Sequence, residues 1–163
     1  MITQSRLHEL VRYDPETGNL IHRVTLCGRA IEGHIFGTTR DRKGYLRNTI
    51  DGETYFIHRL VWLFHYGEFP SNQIDHINRI KHDNRIENLR VATNSQNKCN
   101  SIVRKDSKSG IKGVTQDKRT GRWRAYIAFN GKRIWLGYFA TPEEAKKERI
   151  KANAIHGEFA RMD

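Results

Sequence analysis

A chain of 163 residues carrying 29 Lys and Arg against 18 Asp and Glu, a formal charge of +11, has room for one ordinary domain or two small ones. Its hydrophobic content of 37% is low for a single compact core, and the positive excess favours a polyanionic partner whose phosphates release counterions on binding. No apolar run approaches ~18 residues, Met1-Ile2-Thr3-Gln4 opens no signal peptide, and Cys27 and Cys99 form no CxxC, so membrane insertion, export and a structural zinc site are not expected.

Residues 6–12 have a short helical pattern, with Leu7, Leu10 and Val11 on one side. Tyr13-Asp14-Pro15-Glu16-Thr17-Gly18-Asn19 is dense in turn formers and should reverse the chain into a strand over 20–24. Gly28, Gly33 and Gly37 punctuate a loop-rich stretch. Residues 45–50 and 53–57 then read as a hairpin, because Asp51-Gly52 suits the positive backbone angles of a two-residue turn. A helix follows over 58–66; Gly67 can end it and Pro70 prevents its continuation. Leu60, Val61, Trp62, Leu63 and Phe64 leave apolar groups on nearly every side, which predicts a buried core helix. His58, at its start, reads as a hydrogen-bonded structural histidine before a catalytic one.

The chemistry concentrates in residues 74–100, IDHINRIKHDNRIENLRVATNSQNKCN. A strand over 73–77, a polar loop over 78–87, a partner strand over 88–91 and a helix capped by Thr93 or Asn94 are expected. Asp75 beside His76 offers a hard oxygen ligand for a divalent cation and a base near neutral pH. Asn88 and Asn97 add amide oxygens that a short hairpin followed by a helix could bring together. Neighbours in a strict strand face opposite ways, so Asp75 and His76 share a site only if the strand ends or bends there.

Asp75-His76, Asn88-Leu89-Arg90 and Gln96-Asn97 resemble the motif of HNH nucleases, which carry the ββα-metal fold. His58-Arg59-Leu60-Val61-Trp62 and Asp83-Asn84-Arg85-Ile86 resemble the phage and homing-endonuclease branch of that family. The resemblance implies that His76 is the general base and that Asp75 and Asn97 hold one divalent cation, Mg2+ or Mn2+. Asn88 would position His76 or brace the loop. Arg79, Lys81, Arg85 and Arg90 could hold the DNA backbone across the site or be solvated loop residues, and His82 and Asp83 are phosphate or structural contacts.

Residues 98–110 are polar and basic and read as the end of the helix and a linker. Charge shifts across it. Residues 1–103 hold 14 Lys and Arg against 11 Asp and Glu, net +3, whereas residues 104–163 hold 15 against 7, net +8. Three strands, over 111–115, 122–129 and 133–138, are separated by residues 117–121 and by Asn130-Gly131, a strong hairpin signal. Thr141-Pro142-Glu143-Glu144 is a capping box with proline at the first helical position, opening a helix to about His156 that Gly157 closes. Alternation puts Trp123, Ala125 and Ile127 on one face, with Ile134 and Leu136 joining them against the helix. Arg122, Arg124, Tyr126, Arg133 and Trp135 fall on the other, a basic face with aromatic residues between the charges.

Lys112-Gly113-Val114, Gly121-Arg122-Trp123, Trp135-Leu136-Gly137, Thr141-Pro142-Glu143-Glu144-Ala145 and His156-Gly157-Glu158-Phe159-Ala160 resemble the AP2-type DNA-binding domain. The resemblance implies a sheet lying in the major groove of duplex DNA, with Lys112, Arg122, Arg124, Tyr126, Arg133 and Trp135 as contacts and Arg85 and Arg90 contributing from the nuclease part. Thr115 and Tyr126 stand where plant members usually carry Arg and Glu, so base preference does not carry over.

The expected class is therefore α+β: an N-terminal HNH module (1–103) in which a β-hairpin and core helix precede the ββα-metal motif, a linker (104–110), and an AP2-like three-stranded antiparallel sheet with one helix (111–163). The expected function is a metal-dependent, homing-type DNA endonuclease, monomeric and nicking one strand, phage-encoded and acting in the host cytoplasm. Its competitors are a non-catalytic DNA-binding protein on the same scaffold and a nuclease for structured RNA. Duplex DNA and RNA are separable because A-form RNA buries the major groove.

Overall fold

Short helices and small antiparallel sheets alternate in the computed structural model, which describes residues 1–26, 28, 30–101, 103, 107–129 and 131–159. Cys27, residues 104–106 of the expected linker, Asn130 of the expected hairpin turn and Ala160 lie outside the described residues. The architecture is α+β, and the chain divides into two compact units, Met1–Ala92 and Thr93–Asp163.

In the first unit, α1 (Gln4–Leu10) starts where the Thr3 hydroxyl accepts a hydrogen bond from the Arg6 amide. A sheet follows of β1 (Val11–Tyr13), β2 (Leu20–His22) and β3 (Ile35–Phe36). The turn between β1 and β2 is tied by Asp14, whose carboxylate accepts from the Thr17 hydroxyl at 2.6 Å and the Glu16 amide at 3.1 Å. A second sheet holds β4 (Thr39–Arg40), β5 (Leu46–Ile50) and β6 (Glu53–Phe56). Asp51 and Gly52, with φ of 48° and 81°, make its hairpin turn as the sequence predicts.

The core helix α2 (Ile57–Tyr66) ends at Gly67, whose φ of 80° lets its amide reach back to the Leu63 carbonyl. Leu60 and Val61 are fully buried with Leu7, Leu20 and Ile57. α1 and the β5–β6 hairpin pack against α2, Tyr13 meets His65, and Trp62 and Phe64 are partly buried against the same core, while Tyr66 at its end stays exposed. The unit closes with the hairpin of β7 (Gln73–His76) and β8 (Leu89–Ala92), preceded at β8 by a short 3-10 turn over Ile86–Asn88.

The second unit opens with α3 (Asn94–Asn100). Of the two candidate caps it uses Thr93: the Thr93 hydroxyl accepts from the Gln96 amide, and the Gln96 side chain accepts from the Thr93 amide at 2.8 Å. At the far end, Lys112 Nζ donates to the carbonyls of Lys98 and Cys99 and to the Ser101 hydroxyl. A cation there satisfies orphan carbonyls and complements the helix dipole. The Lys112 contacts tie α3 to the C-terminal unit, whereas the sequence suggested a division at residues 104–110.

A three-stranded sheet of β9 (Val114–Gln116), β10 (Trp123–Phe129) and β11 (Lys132–Phe139), with β10 central, packs on α4 (Pro142–Ala152). Thr141 caps α4, accepting from the Glu144 amide. The α-helix stops at Ala152 and continues as 3-10 turns over Asn153–Phe159, broken at Gly157. Val114, Ala125 and Ala145 form the core, joined by Ile111, Trp123, Leu136 and Phe139. Ile134 does not join them: it pairs with Ile127 nearer the hairpin turn and is 38% exposed.

Candidate active site and nucleic-acid face

The β7–β8 register sets Asp75 opposite Arg90 and His76 opposite Leu89. Facing residues on an antiparallel pair share a side, so the Asp75 carboxylate meets the Arg90 guanidinium. Oδ2 of Asp75 accepts from both Nε and Nη2 of Arg90 at 2.9 Å, with the two side chains only 6% and 14% exposed. Arg90 is thus the counter-ion of Asp75. β7 stops at His76, where the Arg79 amide donates to the His76 carbonyl and turns the chain. Asp75 and His76 both lie within the paired part of the strand, and the turn begins just after them.

His76 is buried. Its Nε2 lies 3.2 Å from Oδ1 of Asn84, itself 1% exposed. The His58 ring stands edge-on to it, with centroids 5.3 Å apart, and the Tyr45 ring lies 5.8 Å away. Burial lowers the pKa of His76 below the usual imidazole range, partly offset by the Asn84 hydrogen bond and by Asp75 and Asp83. Deeper burial, with His76 and Arg59 adding to it, pushes His58 down to about 3. Burial thus disfavours the charged form of both rings, and a neutral imidazole is the form that can take a proton.

The long loop between β7 and β8 is held by a chain of polar contacts. Asn88 Nδ2 donates to the Asp83 carbonyl at 2.8 Å, and its Oδ1 accepts from the Asn78 amide at 2.9 Å. Asp83 accepts from Asn78 Nδ2 and from Nε and Nη2 of Arg85. These hydrogen bonds hold the Asp83 carboxyl down at about 2, with Arg85 the main cause. Arg85 is thus held against Asp83 with its side chain still 41% exposed. Lys81 reaches over the Tyr45 ring and donates to the Lys43 carbonyl at 2.7 Å.

Asp75 supplies the hard carboxylate oxygen that a divalent cation needs, at the end of a strand and next to a neutral imidazole. Among the described residues no three His, Cys, Asp or Glu side chains gather at metal-binding distance. The donors fit a hard cation that keeps most of its shell for water and phosphate. Asn97 lies at the middle of α3, in the second unit.

On the second unit's sheet, β10 pairs with β11 so that Tyr126 faces Trp135, Arg124 faces Tyr138 and Ala128 faces Arg133. The register slips between Ala125 and Tyr126, leaving Leu136 as an extra residue beside Gly137, whose φ is 126°. That bulge puts Trp135 and Tyr138 on one face, their rings 5.1 Å apart, although strict alternation would separate them. Arg133 lies over Tyr126 at 4.6 Å and Arg122 over Tyr138 at 6.0 Å, while Arg124 approaches Asp117 at 3.8 Å. Trp135 is half exposed. Lys112, expected on this face, instead caps α3. Tyr138 was not singled out by sequence reasoning, and a lone glycine in a strand was the available sign of the bulge.

A buried imidazole next in sequence to a carboxylate, in a chain that also carries a basic aromatic sheet, is compatible with one class: a nuclease with a nucleic-acid-binding module. Comparison with known proteins agrees. The model of the HNH endonuclease family matches residues 55–99 and that of the AP2 domain matches residues 109–152. Protein 3.8 of Escherichia phage T7 is 31% identical over 112 residues, covering 64% of this chain and 88% of that protein. The protein named uncharacterized HNH endonuclease L560, of Acanthamoeba polyphaga mimivirus, is 30% identical over 107 residues, which span 64% of this chain and only 54% of that one. No solved structure matches. This chain belongs to the HNH endonuclease family and carries an AP2 domain, and it is a DNA-cleaving hydrolase. No helix among the described residues is long and apolar enough to cross a membrane.

Proposed function

We propose that the enzyme is a metal-dependent endonuclease of homing type that nicks one strand of duplex DNA as a monomer, in the cytoplasm of an infected host. The observation that carries the catalytic part is the buried, neutral His76 next to Asp75 at the end of β7. Kinship with proteins of a phage and a giant virus supports the setting. In this reading the nuclease function draws on residues 1–103, with 104–110 as linker and 111–163 as the DNA-binding part.

Hydrolysis consumes one water. Its oxygen bonds to phosphorus, one of its protons passes to His76, the P–O3′ bond breaks, and the 3′-oxygen takes up a proton. Asp75 and Asn97 would hold the cation, Mg2+ or Mn2+, which when bound neutralises charge at the phosphate and the leaving oxygen. Arg90 keeps the Asp75 carboxylate in place, and Asn88 braces the loop that follows His76. One base per chain supports one cut per engagement. Arg122, Arg124, Tyr126, Arg133 and Trp135, with Tyr138, form the face offered to the major groove.

Supercoiled plasmid incubated with Mg2+, Mn2+ or EDTA, beside His76→Ala, tests this. Metal-dependent conversion to open circles, absent in the variant and with its DNA binding retained, is expected. Prompt linear product would point to paired cutting, and cutting unaffected by EDTA would remove the cation from the mechanism.

A further inference from the structure

A cavity of about 20 Å³ lies within the second unit, where α3, the residues before β9 and α4 with its 3-10 continuation meet. Lys112, Lys146, Arg149 and His156 line it, together with Cys99 and Asn153, and no Asp or Glu does among the described residues. The most deeply set of these charges is Arg149, only 8% exposed. Its Nη1 donates to Oδ1 of Asn153, while its Nε is buried without a hydrogen-bond partner. Gly113 makes room for this guanidinium: its φ is 75°, and a Cβ there would come within 2.9 Å of Arg149 Nε. Positive charge crowds the place. The Lys112 ammonium donates to carbonyls at the end of α3, which are neutral and leave its charge in full. Burial lowers the pKa of His156, and Arg149 and Lys112 lower it further.

A buried guanidinium cannot shed its proton, so without a counter-charge it is costly to the fold. Arg149 meets no carboxylate among the described residues. A water would accept from Nε and leave the charge uncompensated, whereas an anion does both. The space admits roughly one water-sized particle, which suits a monatomic anion and shuts out phosphate or sulfate. We infer that this cavity binds a single halide ion, chloride in the cell, accepting from Arg149 Nε and balancing the charge of Arg149 and Lys112. The ion joins α3 to α4 across the segment that leads into β9. This site is separate from the nuclease chemistry and needs neither the divalent cation nor DNA.

Thermal melting of the full chain in EDTA tests it, with potassium gluconate replaced stepwise by chloride, bromide or sulfate at constant ionic strength. Chloride and bromide should raise the melting temperature of the wild type saturably, by roughly 4–8 °C, and sulfate should not. Arg149→Met should melt at one temperature in every salt. A wild type indifferent to the anion overturns the inference, as does an equal rise in sulfate or a chloride rise that Arg149→Met retains. A chloride response that appears only in Cys99→Ser would make the thiolate the counter-charge and refute the ion. If Arg149→Met fails to fold, bromide anomalous scattering from crystals of the wild type decides. A peak beside Arg149 Nε is expected, and bromide found only elsewhere refutes the site.

Discussion

Arg90 and Asp75 form a pair whose burial decides what each can do. Both side chains lie almost entirely out of water, and one carboxylate oxygen takes both guanidinium bonds. Removing one partner of such a pair strands the other charge, which typically costs about 3–5 kcal/mol. Arg90→Ala should therefore lower stability in urea unfolding by roughly 3 kcal/mol. In a double-mutant cycle with Asp75→Asn the two losses should fall well short of additive. A variant of unchanged stability whose DNA affinity drops would instead make Arg90 a phosphate contact. The sequence makes Asp75, His76 and Asn88 candidates because they stand where they resemble the HNH motif. It could not expose Asn84, since nothing in an asparagine between Asp83 and Arg85 says that its side chain is buried against the His76 ring.

Elements follow the local signals where one residue dictates the geometry. Asp51-Gly52, Gly67, Thr93 and Thr141-Pro142 each fixed a turn or helix end that the structure contains. Where tertiary packing decides, the pattern is less complete: α2 buries Ile57, Leu60, Val61 and Leu63 as its apolar character predicts but leaves Trp62 and Phe64 only partly covered. The β10–β11 hairpin shows the same limit within a strand. Period-two alternation sorted residues 122–127 correctly, but the extra residue at Leu136 moved Tyr138 onto the face of Trp135 and Arg124. That face is the element on which duplex binding should depend. Trp135→Ala and Arg133→Ala should each weaken binding by about 1–3 kcal/mol in a fluorescence titration, leaving single-turnover cleavage at saturating DNA unchanged. Full affinity in both would show that a different surface meets the DNA. A rate fall at saturation would show that the face also serves the chemistry.

At the scale of the whole molecule the question is which of the 29 basic residues are available to phosphate, since the +11 total does not say. Some are already paired with other groups of the protein. Arg90 neutralises Asp75, Arg85 is held by Asp83, and Lys112 closes the end of α3. Arg122 and Arg133 are exposed on the basic sheet face, where they meet aromatic rings and no carboxylate among the described residues. Each phosphate contact contributes about −0.9 to the slope of log affinity against log salt concentration, because binding releases a condensed counterion. The two groups should separate on that axis. Arg122→Ala and Arg133→Ala should each make the slope shallower by about 1 where the arginine meets a phosphate, and by less where it reads a base edge. Lys112→Ala should leave the slope unchanged and lower the melting temperature, since the carbonyls at the end of α3 lose a donor that water must replace. A shallower slope for Lys112→Ala with unaltered melting would mean that its ammonium leaves the helix for DNA, and that charge counts along this chain are a better guide to the interface than hydrogen bonds.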